Sequence, residues 1–189
     1  MKLQQLLISN SNEHHIVTKD DDFQSDKADL VLAFGQRTLL EKVNPYNRLK
    51  TSFPNAQIII CSSSGQISNQ CAIEREIVAT AIDFEKTTIK TCEYDILSNH
   101  NINDLGEKIK NELNTPSLKS ILILSEGTHI NGTELINELI KQTNKEIPIF
   151  GGLAGDEYAF EKTIVGLNND ATAGKIVAVG FYGNHIHFG

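Results

Sequence analysis

The sequence predicts an α/β fold of two similar halves, each with parallel strands, a connecting helix and an antiparallel hairpin around a shared mixed-sheet core. Three observations predict it. Four short runs are apolar without alternation, segments with helical periodicity lie between them, and the same order of elements occurs twice in 189 residues. Continuous apolar runs are typical of strands covered on both faces. Strands that alternate with helices indicate parallel sheets.

The four apolar runs are the predicted core strands. They are LVLAF, QIIIC, ILILS and IPIF, at residues 30–34, 57–61, 121–125 and 147–150. Each run is followed by glycine or small polar residues, which mark loops at the strand ends. We therefore expect parallel strands whose carboxyl ends carry short, accessible loops.

Helices are predicted in three segments. The segment 44–53 has Asn44 as cap and Pro45 at the first helical position. The segment 103–113 places its apolar residues on one face, and a proline follows it. The segment 131–145 begins at Asn131, with a glutamate three residues later as in a capping box.

Two further pairs of segments predict antiparallel hairpins. The first pairs residues 76–84 with 87–96, and the second pairs 175–183 with 185–189. Both alternate more than the core strands do, which indicates that one face lies on the core. The polar segment 10–27, which contains KDDD, is predicted to be a solvated loop.

An internal repeat is predicted from the matching order of elements, with residues 28–96 and 119–189 as its two copies. The loops CSSSGQI and GGLAGDE then occupy equivalent positions, and we expect them to face each other across a cleft. The final residues HIHFG end inside a predicted strand. We therefore expect residues 1–189 to form one domain-sized piece of a longer protein.

Composition excludes several classes of function. The net charge of −7 and the lack of a basic run argue against nucleic acid as a partner. No apolar run is long enough to span a bilayer, and the N-terminus lacks a secretory signal. Three cysteines form an odd set without metal-type spacing, which predicts free thiols and a cytoplasmic location.

Cofactor and metal motifs are also missing from the sequence. Neither GxxxxGK[ST] nor a GxGxxG that opens a helix occurs, so no nucleotide cofactor is predicted. His185 and His187 alternate on the last predicted strand and could begin a metal site. No third ligand with suitable spacing follows, so we expect no metal and no cofactor.

The loops at the strand ends are the candidate ligand site. Backbone amides over residues 151–154 could form a concavity for a carboxylate, with Asp156 positioned to balance a ligand ammonium. In the equivalent loop, three serine hydroxyls precede Gly65, which leaves the backbone accessible. The alternative is that the glycines only form tight turns and allow close packing.

The stretches FPNAQIIICSSSGQI, PIFGGLAGDEYAFEKTIV and IVAVGFYG resemble the N-terminal half of FIST domains over residues 28–189. The resemblance implies an intracellular sensory module of signal transduction that binds an amino acid or a related small metabolite. It also implies two partners, namely the C-terminal half of the same domain and a histidine kinase or another signalling protein. One departure is Gln66, where the family often has an acidic residue.

The resemblance and the loop chemistry together give the predicted ligand-binding residues, with Glu126 added from the loop after the third core strand. They are Cys61, Ser62, Ser63, Ser64, Gly65, Glu126, Gly151, Gly152, Ala154, Gly155 and Asp156.

A cysteine-dependent hydrolase or transferase is the alternative function. Cys61 at a strand end could act as nucleophile, and His129 is the one candidate base that the sequence suggests. Glu126 could act as an acid or base, cap the following helix or bind a ligand amine. A cysteine at a strand end is more often a small buried residue. The sequence therefore favours non-catalytic sensing, with the ligand at the loops after strands 57–61 and 147–150.

Overall fold

The structure is a computed structural model that describes residues 1–11, 13–69, 71–98, 102–143 and 147–186. Within these ranges it is a mixed α/β fold, as the sequence predicts. The strands are β1 Lys2–Ile8, β2 His14–Lys19, β3 Leu30–Gly35, β4 Gln57–Ser62, β5 Gln66–Ser68, β6 Cys71–Ile73, β7 Ile77–Asp83, β8 Thr88–Asp95, β9 Leu118–Ser125, β10 Ile149–Leu153, β11 Val165–Leu167 and β12 Lys175–Tyr182. The helices are α1 Arg37–Val43, α2 Tyr46–Ser52, α3 Ile102–Leu113 and α4 Gly132–Gln142, with a 3-10 turn at Ser25–Lys27.

Two mixed sheets form the core. The first has the order β11-β4-β3-β7-β1-β2, and the second has the order β10-β9-β12-β8. β3 pairs with β4 in parallel, and β9 pairs with β10 in parallel, while the other pairs in these sheets are antiparallel. The predicted parallel pairs are thus confirmed.

The two sheets pack face to face, with helices on their outer faces. Along β3, Leu30 faces the layer between the sheets, whereas Val31 packs in the cluster that contains the α1 and α2 leucines. Along β9, Leu122 faces the same inner layer and Ile121 packs with residues of α3 and α4. Successive residues on each strand therefore enter different apolar clusters. This explains why the core strands are continuously apolar.

The same strand order occurs in both sheets. The series β4-β3-β7-β1 in the first sheet matches β10-β9-β12-β8 in the second, with the same relative directions. In this match β8 corresponds to β1, so β8 would be the first strand of the second half. The internal repeat stays a prediction, and the topology suggests a second copy that begins at β8.

The predicted hairpin of residues 76–84 and 87–96 is wrong. Both strands exist, but β7 pairs with β3 and β1, while β8 pairs with β12 in the other sheet. The connection between them crosses from one sheet to the other at Glu85, whose φ is 59°. Local alternation specifies a strand but not its partner, so the crossing could not be read from periodicity.

Several elements differ from their predictions. The segment predicted as a loop contains β2, which pairs with β1 at the edge of the first sheet. Asn44 ends α1 with a φ of 46° instead of capping the next helix. β10 begins two residues and ends three residues later than predicted, and it is largely exposed because it is the edge strand of its sheet. The second arm of the other predicted hairpin includes residues 187–189, which lie outside the described residues.

The α3 prediction is confirmed, and the α4 prediction is confirmed as far as Gln142, while residues 144 and 145 of the predicted segment lie outside the described residues. The side chain of Asn131 caps α4 by accepting hydrogen bonds from the amides of Thr133 and Glu134 at 3.0 and 3.2 Å. Among the described residues, none of the helices combines the length and the hydropathy needed to traverse a bilayer.

Candidate functional site

Ser62 joins the two halves of the molecule at the end of β4. Its backbone N–H donates to Ile164 O at 2.9 Å, and its hydroxyl accepts from Ile164 N at 3.0 Å. Its carbonyl accepts from Gly155 N at 3.0 Å. The loop after β4 and the loop after β10 are therefore in direct contact. We call residues 62–65 and 154–156 the loop seam.

Close packing at the loop seam depends on Gly155. A Cβ atom on this residue would lie 2.5 Å from Ser64 Oγ and 2.8 Å from Ser64 N. The neighbouring amide of Ala154 donates to Ser125 O at 2.7 Å. The amides of Ala154 and Gly155 are thus engaged within the protein, and Ala154 is buried.

Asp156 holds the second loop of the seam to the first half of the chain. Its Oδ1 accepts from Arg37 Nε at 2.7 Å, and its Oδ2 accepts from the amides of Glu161 and Lys162 at 3.1 and 2.9 Å. Burial disfavours the carboxylate, but the hydrogen bonds from Arg37 and from the two amides outweigh it and lower the pKa of Asp156. The positive charge opposite Asp156 is already supplied by Arg37.

Arg37 is a residue that sequence reasoning missed. It lies 119 residues from Asp156 and also donates to Glu41 at 3.1 Å. Glu41 in turn accepts from Lys162 Nζ at 2.6 Å, so four alternating charges connect α1 to the second loop. The sequence signal for Arg37 is its position just after the end of β3, where open α/β sheets place functional groups.

Glu126 is fully buried and serves the turn that precedes α4. Its Oε1 accepts from His129 N at 2.7 Å, and its Oε2 accepts from Thr128 N at 3.2 Å. The same Oε2 lies 3.1 Å from His129 Nδ1. Of the roles left open by the sequence, this geometry matches that of a turn-capping residue, which also orients His129.

The remaining seam residues are accessible. Ser64 and Gly65 are exposed, and Ser63 is partly exposed. A Cβ atom added at Gly65 would have no neighbour within 4 Å, and the same holds for Gly152 on β10. Neither glycine has a positive φ. Packing within this chain does not require a glycine at either position.

Gly151 differs from Gly152 although both lie on β10. Its φ is +135°, and a Cβ atom there would lie 1.8 Å from Ile123 O of the neighbouring strand. Beside these glycines, a cavity of about 190 Å³ lies between β10 and α4. Its lining is mostly apolar and consists of Ile123, Ser125, Gly132, Leu135, Ile136, Gly151, Gly152 and Leu153. The volume is below the usual range for metabolite pockets and suits one apolar group.

Cys61 lies in the apolar layer between the sheets. Its thiol donates to Ser62 O at 3.4 Å, and among the described residues no histidine hydrogen-bonds to it. Burial raises the pKa of Cys61 to about 12. A thiol in this environment is not ionised near neutral pH, whereas a nucleophilic cysteine needs the thiolate.

Gln66 is buried next to the loop seam. Its Nε2 donates to Ser63 Oγ at 3.0 Å, while its Oε1 has no partner among the described residues. The amide thus orients the hydroxyl of Ser63. A carboxylate at this position could accept a hydrogen bond but could not donate one.

The histidine pair on the last predicted strand is only half described. His185 lines a surface cavity next to Phe84 and Glu85, and His187 lies outside the described residues. Within the described ranges, no cluster of three or more metal-ligating side chains occurs.

The two adjacent glycines of β10 are expected to differ strongly in how much an alanine substitution lowers stability. Gly151→Ala is expected to destabilise the protein by about 3 kcal/mol, because the new Cβ atom would overlap Ile123 O at a φ that alanine avoids. Gly152→Ala is expected to change stability by about 0.5 kcal/mol or less, since its Cβ atom would enter open space. Urea denaturation measures both. Similar losses for the two variants would contradict the backbone geometry of β10.

Loss of Arg37 is expected to weaken the loop seam. Arg37→Met should lower the free energy of unfolding by about 2 kcal/mol, since it leaves the buried carboxylate of Asp156 without its ion-pair partner. Arg48→Met is a matched control, because the Arg48 side chain hydrogen-bonds to the His14 ring at the surface and forms no ion pair within the described ranges. It should cost about 0.5 kcal/mol or less. Equal costs for the two variants, measured by urea denaturation at pH 7, would argue against this role of Arg37.

The same ion pair predicts a pH dependence. Because the pKa of Asp156 is lowered in the folded state, its contribution to stability is present above the unfolded value of about 3.9 and is lost as the pH falls through the folded value. The unfolding free energy of the wild type should therefore fall more steeply below about pH 5 than that of Arg37→Met. Parallel pH profiles for the two proteins would contradict the assignment.

Thiol reactivity distinguishes the three cysteines. Cys71 is exposed, whereas Cys61 and Cys92 are buried and burial raises the pKa of each to about 12. A disulfide reagent at pH 7.5 should therefore modify one thiol of the folded protein quickly. The Cys71→Ser variant should lack this rapid reaction. All three thiols should react in denaturant. Rapid modification of Cys61 in the folded protein would instead favour the nucleophile interpretation.

Comparison with known proteins gives one family match. A search of curated proteins found none that matches the sequence. The model of the FIST N domain matches residues 29–189, which include both parallel strand pairs and the whole loop seam. FIST domains are sensory domains of signal-transduction proteins. On this match over most of its length, the chain belongs to the FIST family.

Proposed function

We propose that this chain senses a small metabolite, such as an amino acid, by binding it at the loop seam without catalysis. The observation that carries the proposal is the direct contact of the two loops through Ser62 and Gly155. The seam brings an exposed serine loop against a glycine-rich loop from the other half. Two glycines nearby, Gly65 and Gly152, border space that none of the described side chains fills within 4 Å of an added Cβ atom.

The predicted site residues would act in two groups. The buried ones would not contact the ligand directly. Ser62, Ala154 and Asp156 hold the loops in place, while Cys61 lies on β4 and Glu126 directly follows β9. The accessible ones would contact the ligand; they are Ser63, Ser64, Gly65, Gly151, Gly152 and Gly155. Serine hydroxyls both donate and accept hydrogen bonds, which suits the carboxylate and ammonium groups of an amino acid.

Ligand binding at this seam would change how firmly the two loops hold each other. The loops come from different halves of the chain and are joined by the Gly155–Ser62 hydrogen bond and the Arg37–Asp156 ion pair. A ligand that contacts both loops binds more tightly to one arrangement of the halves than to another. Such a difference in affinity is what shifts a conformational equilibrium.

The output surface would lie along β10 and the loop that follows it. Leu153, Tyr158 and Phe160 are exposed there, with Phe160 at 86% and Tyr158 at 96% exposure. The equivalent strand β4 has β11 on its outer edge, whereas β10 has no described strand beyond it. Exposed apolar edge strands usually pair with another segment. We propose that the C-terminal half of the domain covers this edge and passes the signal to a histidine kinase or another signalling protein.

The alternative of a cysteine-dependent hydrolase or transferase gains no support from the site. The Cys61 thiol is buried with a raised pKa, and His129 is engaged by Glu126. We also propose a cytoplasmic location, because free cysteines are typical of a reducing compartment.

Binding can be tested by thermal denaturation against the common amino acids and small carboxylates. When the concentration of a ligand is a hundred times its dissociation constant, binding raises the free energy of unfolding by about 2.7 kcal/mol. For a chain of this size, this corresponds to a rise in Tm of roughly 5 °C or more. Gly65→Leu and Gly152→Leu should abolish the rise, because the new side chains occupy the proposed ligand space.

Glu107→Leu provides the matched control. Glu107 is exposed on α3, so a leucine there adds apolar surface away from the loop seam. This variant should retain the full ligand-induced rise in Tm. A ligand whose effect survives both glycine variants would bind elsewhere, and a screen without any rise would remove the proposal.

A further inference from the structure

A second cavity opens at the carboxyl edge of the first sheet. Its volume is about 320 Å³, which is within the range of small-molecule sites. Its lining residues are Asn10, Gln36, Thr38, Leu39, Lys42 and Arg75. None of them belongs to the loop seam.

Strand directions explain why these residues meet. β1 and β3 are both antiparallel to β7, so they run in the same direction and end at the same edge. Asn10 follows β1, Gln36 follows β3, and Arg75 precedes β7, whose amino end lies at that edge. Open α/β sheets bind their ligands outside the carboxyl ends of the strands.

The cavity carries positive charge that forms no ion pair within the described ranges. Lys42 and Arg75 both line it, and neither forms an ion pair with a carboxylate in the described part of the chain. Glu74 and Glu76 flank Arg75 in the sequence but do not line the cavity. Both residues are exposed, so their charges are accessible to a ligand, and they form a local positive site in a chain with a net charge of −7.

The neutral polar side chains of the cavity are also available to a ligand. The side chains of Asn10, Gln36 and Thr38 make no hydrogen bond to any described residue. Gln36 precedes α1 without capping it. These side chains can therefore donate hydrogen bonds to a bound molecule at no cost to the fold.

Arg75 adopts a backbone conformation that is rare for its residue type. Its φ is 66°, in the left-handed region that glycine occupies readily. A glycine there would avoid the strain but would remove the guanidinium from the cavity. Residues held in such conformations occur preferentially at functional sites.

We propose that this cavity binds the anionic group, a carboxylate or a phosphate, of a small metabolite. The guanidinium of Arg75 suits two-point contact with either group, and Lys42 supplies a second positive charge. Asn10, Gln36 and Thr38 then hydrogen-bond to the remaining oxygens. This site goes beyond the sensing function proposed above, because it shares no residue with the loop seam and either proposal can fail alone.

Titration of the 189-residue chain with inorganic phosphate and with succinate, followed by calorimetry, tests the site. Arg75→Gln and Lys42→Gln should each weaken binding about tenfold, the loss expected for one charge-assisted contact. Lys19→Gln and Lys27→Gln remove the same charge from exposed residues outside the cavity and should leave affinity within about twofold. The tighter of the two probes identifies the anionic group as phosphate or carboxylate.

Two outcomes would overturn the proposal. Equal weakening in all four variants would show general attraction to positive charge instead of a site. Absence of saturable binding by both probes up to about 50 mM would show that the cavity does not hold an anion with useful affinity. Gly65→Leu serves as a cross-check, because it alters the loop seam and should not change phosphate or succinate binding here.

Discussion

The arrangement of this protein depends on the hydrogen bonds around Ser62. Its amide, hydroxyl and carbonyl are all satisfied by residues from the loop that follows β10, and Ser62 itself is fully buried. A buried polar group that loses its partner costs free energy of about 1–3 kcal/mol. These bonds therefore hold β11 against β4 and bring loops from the two halves to one place. The candidate ligand site exists only because this contact forms.

A second constraint is electrostatic. Arg37 at the start of α1 and Asp156 in the second loop form an ion pair that is largely shielded from water, with exposures of 17% and 6%. The same carboxylate accepts two backbone amides, so it orders the loop that carries the exposed Tyr158 and Phe160. The loop seam and the apolar surface proposed for the partner are thus connected through a single side chain. In the proposed function, this side chain would link the ligand-binding loops to the surface that transmits the signal.

The two halves share a topology but differ at their edges. β4 is covered by β11, while β10 is exposed and carries two adjacent glycines with different physical roles. Gly151 is required by the backbone of its own strand, whereas Gly152 leaves open space. The edge of the first half is thus used for internal pairing, and we propose that the edge of the second half contacts another molecule or segment. The Lys42–Arg75 cavity adds a separate charged feature at the carboxyl edge of the first sheet.

The sequence by itself determined the elements that depend on local patterns. Continuous apolar runs identified β3, β4 and β9 as strands buried on both faces, and periodicity with an Asn131 cap identified α4. That the loops CSSSGQI and GGLAGDE, at residues 61–67 and 151–157, are equivalent stays a prediction. Only the tertiary structure decided that β8 leaves β7 for the other sheet and that Arg37 pairs with Asp156. Strand pairing and ion pairs join residues distant in the chain, and their energies depend on which surfaces compete for them, so no local pattern contains them.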